Sequence, residues 1–190
     1  RMSGTVTNEG IANLKFENKR VLNSPVEEIK NYKIWLNQEN TFFSNQAFQK
    51  YCGEVKFDFR VFDRDANSID GLIERGLKDP ITNQYVGKRE ARRILDQNNG
   101  IGVYRNGFRL RPLGDAGYDW LSLDNQRVQK PFLRVGCDQV IGFIHIQSES
   151  ESGLEEKSAR DGLKETQEYF GLKEISRQVL SLLENRRYTY

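Results

Sequence analysis

The stretch from Phe143 to Leu163, which opens in a strand, constrains this chain most. Val140, Ile141, Phe143, Ile144 and Ile146 form an apolar run of strand length, rich in β-branched residues. The chain then turns polar and acidic through Glu149, Glu151, Glu155 and Glu156, and it delivers Lys157 and Arg160 to the entry of a helical tail. In that tail the apolar spacing is helical: Leu163, Tyr169 or Phe170, Leu172, Ile175, Val179, Leu182 and Leu183. Gly171 is expected to divide it into two helices, the last over about 172–185 with an apolar stripe that must pack on a sheet or a partner. A rigid strand, a polar loop and two cations at a helix entry suit a group that must reach a phosphate. The plain alternative is a solvated loop with basic residues in its first turn.

Composition narrows the classes. At 190 residues the chain accommodates one generous domain, or one domain with a helical extension. Hydrophobic residues make up 37%, with 11 Phe, 8 Tyr and 2 Trp, enough for a packed core and against wholesale disorder. The net charge of only +2 weighs against a general nucleic-acid binder. Cys52, Cys137 and one histidine cannot build a zinc site by themselves, so no metal is expected. The two thiols read as reduced and semi-buried, as in a cytoplasmic protein. No apolar run approaches membrane-spanning length, and no membrane partner is expected.

Taken in order, Ile11–Phe16 alternates as one strand or an arm. Ser24-Pro25-Val26-Glu27 reads as a capping box with proline at the first helical position, predicting a helix to about Leu36. Phe42, Phe43, Phe48 and Tyr51 suggest a second short helix or a packed aromatic turn. From Glu54 the period becomes two: Val55, Phe57, Phe59 and Val61 alternate with charged residues, predicting a strand over 54–62. Asp63 and Asp65 at its end read as solvated carboxylates in preference to a metal or acid-base dyad. Helices are expected over 68–77 and 88–95, the second with Ala91, Ile94 and Leu95 inward and stopping at Asn98-Asn99-Gly100. Asn106-Gly107, between alternating runs, is a strong hairpin signal, predicting strands over 101–105 and 108–111. Arg105, Arg109 and Arg111 on that hairpin either grip phosphates or pair with the acidic loop near Glu149–Glu156. Trp120, Leu121 and Leu123 are expected to anchor an irregular loop onto the sheet, followed by a polar connection over 126–138 and a strand over 139–146. The fragment Asp115-Ala116-Gly117 resembles a nucleotide-contacting D-x-G-x-G motif, but Asp119 replaces its second glycine and the match is rejected.

The order of these elements resembles the second, transducer domain of the GHKL ATPases. That superfamily contains the ninety-kilodalton heat-shock chaperones, the ATPase subunits of type II topoisomerases and the mismatch-repair ATPases. The residues that carry the resemblance are V-Y-R-N-G-F-R-L-R-P (103–112), G-D-A-G-Y-D-W-L-S-L-D (114–124), I-G-F-I-H-I (141–146) and S-A-R-D-G-L (158–163). They look most like the prokaryotic chaperone-like members, which carry Y-R-D-G-F-R-V-x-P-Y-G and later R-E-G-L. The resemblance covers roughly Gly53 to Asn185 and is poor before Gly53. It implies an α/β (α+β) domain over 53–190: a mixed sheet of about four or five strands, helices mainly on one face, a left-handed β-α-β unit and long C-terminal helices. Residues 1–52 would then be an N-terminal arm with helices, either part of the same domain or a linker from an upstream ATPase domain.

In the chaperones the matching loop reads S-R-E-x-L, and its arginine reaches the terminal phosphate of ATP. Arg160 with Asp161 and Leu163 fits that pattern, although Ala159 separates it from Ser158. In the topoisomerase and mismatch-repair branches a loop lysine does this work, which makes Lys157 the second candidate. The resemblance also implies what this chain lacks: the Glu/Asn helix, an intact D-x-G-x-G and the glycine-rich lid. It should bind no ATP or magnesium alone; those belong to an upstream ATP-binding domain of a longer protein, through which it would also form a homodimer. Two other classes stand beside this reading. One is an RNA- or DNA-binding module, since ribosomal and translation-factor domains share the fold and Lys88, Arg89, Arg92 and Arg93 add to the hairpin arginines. Such binding is expected to be absent near physiological salt. The other is a protein-interaction domain built on the last helix.

Overall fold

The computed structural model of the chain describes residues 1–21, 23–37, 48–159 and 161–189. Seven strands form one mixed sheet: β1 (Met2–Val6), β2 (Ile11–Phe16), β3 (Glu27–Lys33), β4 (Val55–Val61), β5 (Gly100–Arg105), β6 (Phe108–Arg109) and β7 (Val140–Ile146). Their order across the sheet is β3-β2-β1-β4-β7-β5-β6. Only β5 and β7 run parallel, Ile101 beside Gly142 and Val103 beside Ile144; every other pair is antiparallel. Among the described residues there are five α-helices: α1 (Ala66–Glu74), α2 (Lys88–Asn98), α3 (Leu123–Gln129), α4 (Glu149–Ser152) and α5 (Gln167–Thr189).

The expected α+β class with a mixed sheet is what the structure has, but seven strands replace the expected four or five. The extra ones come from the N-terminal third. The helix expected over 24–36 is instead edge strand β3, with Ile29 opposite Leu14 and Glu27 opposite Phe16. The capping-box pattern lost to tertiary pairing. Ile29 is buried on β2, whereas Val26, which the helical stripe needed, is 52% exposed. Phe42 and Phe43, expected in a second short helix or aromatic turn, lie outside the described residues. Tyr51 is half-buried and donates its hydroxyl to the Ile34 carbonyl at 2.8 Å. The strand after Asn106-Gly107 is also shorter than expected, ending at Arg109.

Alternation splits the sheet into two unlike faces. Met2, Val6, Leu14, Phe57, Phe59, Ile101, Val103 and Ile144 all point to one side and join the main core. α5 lies on that side, burying Leu172, Ile175, Val179, Leu180 and Leu183 at helical spacing. It is one unbroken helix, so Gly171 is not a break. A Cβ at Gly171 would stand 1.7 Å from the Lys50 carbonyl oxygen, so glycine serves close approach of the 48–52 segment to the helix. α1 and α2 form a smaller cluster around Ile69, Ala91 and Leu95 that reaches Ile141, at one end of the opposite face. On the rest of that face Lys15, Lys56, Arg60 and His145 are exposed and Tyr104 and Phe143 half-buried.

The carboxylates at the end of β4 are structural. Asp65 caps α1, accepting from the Ser68 amide at 3.0 Å, and Asp63 pairs with Arg20 at 3.0 Å and with Arg187. Trp120, Leu121 and Leu123 are buried as expected, the Trp120 indole donating to the Ile101 carbonyl at 2.8 Å. The connection over 126–138 is partly helical. It is fastened to α5 by Glu184, which accepts from the Val135 amide at 2.9 Å and pairs with Arg134.

Candidate functional site

The C-terminal end of β7 runs into an N-capped turn, α4, and then into a loop that ends only at Thr166. Thr166 starts α5, its hydroxyl accepting from the Tyr169 amide at 3.3 Å. Lys157 therefore does not open the long helix, as the sequence suggests, but stands in a separate projecting loop. An antiparallel bridge between Glu156 and Leu163 closes the base of that loop. The Lys157 amide donates to the Gly162 carbonyl at 3.0 Å, and the Lys164 amide to the Glu155 carbonyl at 2.8 Å. The Lys164 ammonium lies 2.6 Å from Glu155, and that hydrogen bond raises its pKa.

Arg105 ties the loop to the sheet. It is the last residue of β5, on the core-facing side with Ile101 and Val103, and only 9% exposed. Its guanidinium donates to the Gln147 carbonyl at 3.1 Å, the Leu154 carbonyl at 2.5 Å and the Glu156 carboxylate at 2.9 Å. One planar fork thus joins the end of β7, the loop entry and the loop base. Of the two uses open to the hairpin arginines, Arg105 takes the acidic loop.

Arg109 and Arg111 go elsewhere. Arg109 faces the other side of the sheet, opposite Tyr104, and pairs with Asp115 at 3.0 Å. Arg111 is exposed and has no ion-pair partner among the described residues. It sits beside the projecting loop, because a Cβ on Gly162 would lie 3.6 Å from Pro112 Cδ and 4.0 Å from the Arg111 carbonyl oxygen. Lys157 is likewise exposed and without an ion-pair partner among the described residues. Arg160, the first candidate phosphate contact, lies outside the described residues. The fold thus brings the exposed cation of the loop and that of the hairpin exit to one end of the molecule, while Arg105 is buried beneath them.

Other reactive groups are quiet. Cys52 and Cys137 are buried free thiols, each pushed up to about 12 by burial. No cluster of three metal-binding side chains occurs among the described residues. Among the described residues no helix is long and apolar enough to cross a membrane. Sequence reasoning missed a group on the open face, where Tyr104, Phe143 and His145 lie side by side. The period of two in β7 was the available signal, since it places Phe143 and His145 on one side. No family model, curated protein or solved structure matches this chain.

Proposed function

We propose that this chain is the transducer module of a chaperone-like GHKL ATPase, offering a loop cation to the terminal phosphate of ATP held by an upstream domain. The observation that supports this reading is the loop between Glu156 and Leu163. Its base is fixed by the bridge, by two backbone hydrogen bonds and by the buried Arg105, while Lys157 projects without an ion-pair partner among the described residues. A cation held this way meets charge that develops on the transferring phosphate, with little reorganisation. Because the cation comes from another domain, hydrolysis depends on docking, and nucleotide state becomes movement.

ATP and magnesium belong to the upstream domain in this proposal, and the module has no enzymatic activity alone. The parent works in the cytoplasm, as a homodimer formed through the longer protein. The test is kinetic. In the full-length parent, Arg160→Ala or Lys157→Ala should keep ATP binding but lower turnover by roughly one to a few powers of ten, at about 1.4 kcal/mol of barrier per tenfold. The larger defect identifies the phosphate contact. If it is Arg160, Arg160→Lys should restore only part, since charge remains but the fork is lost. Unchanged hydrolysis in both alanine variants would reduce the module to a scaffold.

A further inference from the structure

The open face of the sheet carries an arrangement that the transducer reading does not use. Tyr104 and His145 are direct neighbours across the parallel β5–β7 pair, their ring centroids 5.5 Å apart and 31° from parallel. Phe143, two residues before His145 on the same side of β7, has its ring 6.0 Å from that of Tyr104. The Tyr104 ring lies back along its own strand over Gly102. A Cβ at Gly102 would stand 3.0 Å from Tyr104 Cε2, so the missing side chain leaves room for the ring to lie low on the sheet. The Tyr104 ring, tilted 39° from Phe143 and 31° from His145, joins them in a platform on which His145 is exposed and the other two are half-buried.

Cations border this platform. On β4, Lys56 pairs in register with His145, and Arg60 places its guanidinium 5.8 Å from the Phe143 ring centroid. Farther across, the same face carries Arg1 and Lys15, set against Asp58, Glu17 and Glu28. Asp58 accepts from two guanidiniums, Arg60 at 2.9 Å and Arg1 at 3.0 Å, and Arg1 also pairs with Glu17 at 3.4 Å. Lys56 has no ion-pair partner among the described residues. Next to the half-buried rings of Tyr104 and Phe143 and the exposed His145, Lys56 and Arg60 therefore outnumber Asp58.

We propose that this face binds single-stranded nucleic acid, bases stacking on Tyr104, Phe143 and His145 while Lys56 and Arg60 hold the phosphate backbone. Unpaired bases expose π-faces that stack on aromatic rings without regard to sequence, and flanking cations track the strand. A duplex hides those faces. Arg109, in register with Tyr104, borders this face but is paired with Asp115. The surface is distinct from the Lys157 loop, so its failure leaves the transducer proposal untouched.

The test uses residues 1–190 with fluorescein-labelled oligo(dT) and oligo(U) of about fifteen nucleotides, the upper range of one such site. Fluorescence anisotropy at about 50 mM salt should show saturable binding that weakens towards 200 mM as counterion release loses its advantage. A blunt duplex of equal length should bind more weakly. Tyr104→Leu and Phe143→Leu keep an apolar surface but remove the ring, and each should weaken binding roughly fivefold or more. Lys56→Gln should lower both affinity and its dependence on salt. Melting curves that match the parent show that these variants fold, and two leucine substitutions guard against one of them failing. Absence of any anisotropy change would overturn the proposal and leave the face to a protein partner. Equal affinity for duplex, or binding unchanged in both leucine variants, would overturn it in favour of a merely electrostatic surface.

Discussion

Arg105→Met removes the fork that joins β5, β7 and the projecting loop while keeping an unbranched, apolar side chain in its place. Three hydrogen bonds disappear: two to backbone carbonyls, at Gln147 and Leu154, and one to Glu156. Bonds made by a charged donor contribute about 1.5–3 kcal/mol each, and orphaned buried acceptors keep their desolvation cost. Glu156 regains water, since its side chain is 35% exposed, and the methionine recovers some apolar burial. The net loss should therefore be about 3–4 kcal/mol, near the lower end for breaking a buried pair. For a chain of this size each kcal/mol moves the midpoint by about 2–4 °C, so thermal unfolding should fall by roughly 10 °C. Hydrogen exchange localises the effect: the Lys157 and Lys164 amides should lose protection before those of the central strands. Glu156→Gln should cost less, about 1 kcal/mol, because an amide oxygen still accepts the bond. A midpoint shift under about 2 °C for Arg105→Met, with loop protection unchanged, would refute the view that this arginine positions the loop.

Other outcomes follow from the same geometry. Gly171→Ala would push a methyl into the Lys50 carbonyl and should cost about 3 kcal/mol, measured by urea unfolding; a neutral result would mean the 48–52 segment shifts freely. Trp120→Phe should lose about 1–2 kcal/mol through the unpaired Ile101 carbonyl, read from the same unfolding curves. Stability should fall as pH rises from about 9 towards 12, because Cys52, Cys137 and Tyr169 ionise first in the unfolded chain. Burial raises each of these groups to about 12 when folded, so the folded state holds protons that the unfolded state has released. Thermal melts across that range check the sign. At pH 8 both thiols should react with a disulfide reagent only at the rate of unfolding, and fast labelling of Cys52 in native buffer would contradict its burial.

Much of the sheet was legible because its central strands carry their own period. Val55, Phe57 and Phe59 face the core whatever their neighbours do, and Asn106-Gly107 sets the hairpin, with φ of 50° and 81° at the two turn residues. The N-terminal strands were harder. β3 has only Ile29 as a buried apolar residue, and its register irregularity between Ala12 and Leu14 interrupts a simple alternation. A serine, a proline and a glutamate at helix-cap spacing then outweighed a weak strand pattern. The decisive partner, β2, lies a dozen residues upstream, beyond the reach of local preference. Gly171 misled for a related reason. Helix propensity marks glycine as a weak point, but here the missing side chain admits another backbone, which only the tertiary structure reveals.

The hairpin arginines show how far parity alone could have gone. Ile101 and Val103 face the core, so Arg105 must share their side, and Tyr104 must face the other way. Across the turn, Arg109 pairs with Tyr104 and takes the open side, whereas Arg111 lies beyond the end of β6. Three arginines at odd positions in one short segment therefore enter three environments. The buried one needs acceptors for its donors, and the acidic stretch after β7 is the natural supply, because β7 runs parallel to β5 and ends beside Arg105 at Ile146. What parity could not give is that β5 and β7 are neighbours. Once they are, Gln147 and the loop after it lie within reach of Arg105, and a sequence of alternating arginines becomes one anchor, one surface ion pair and one exposed cation beside Lys157.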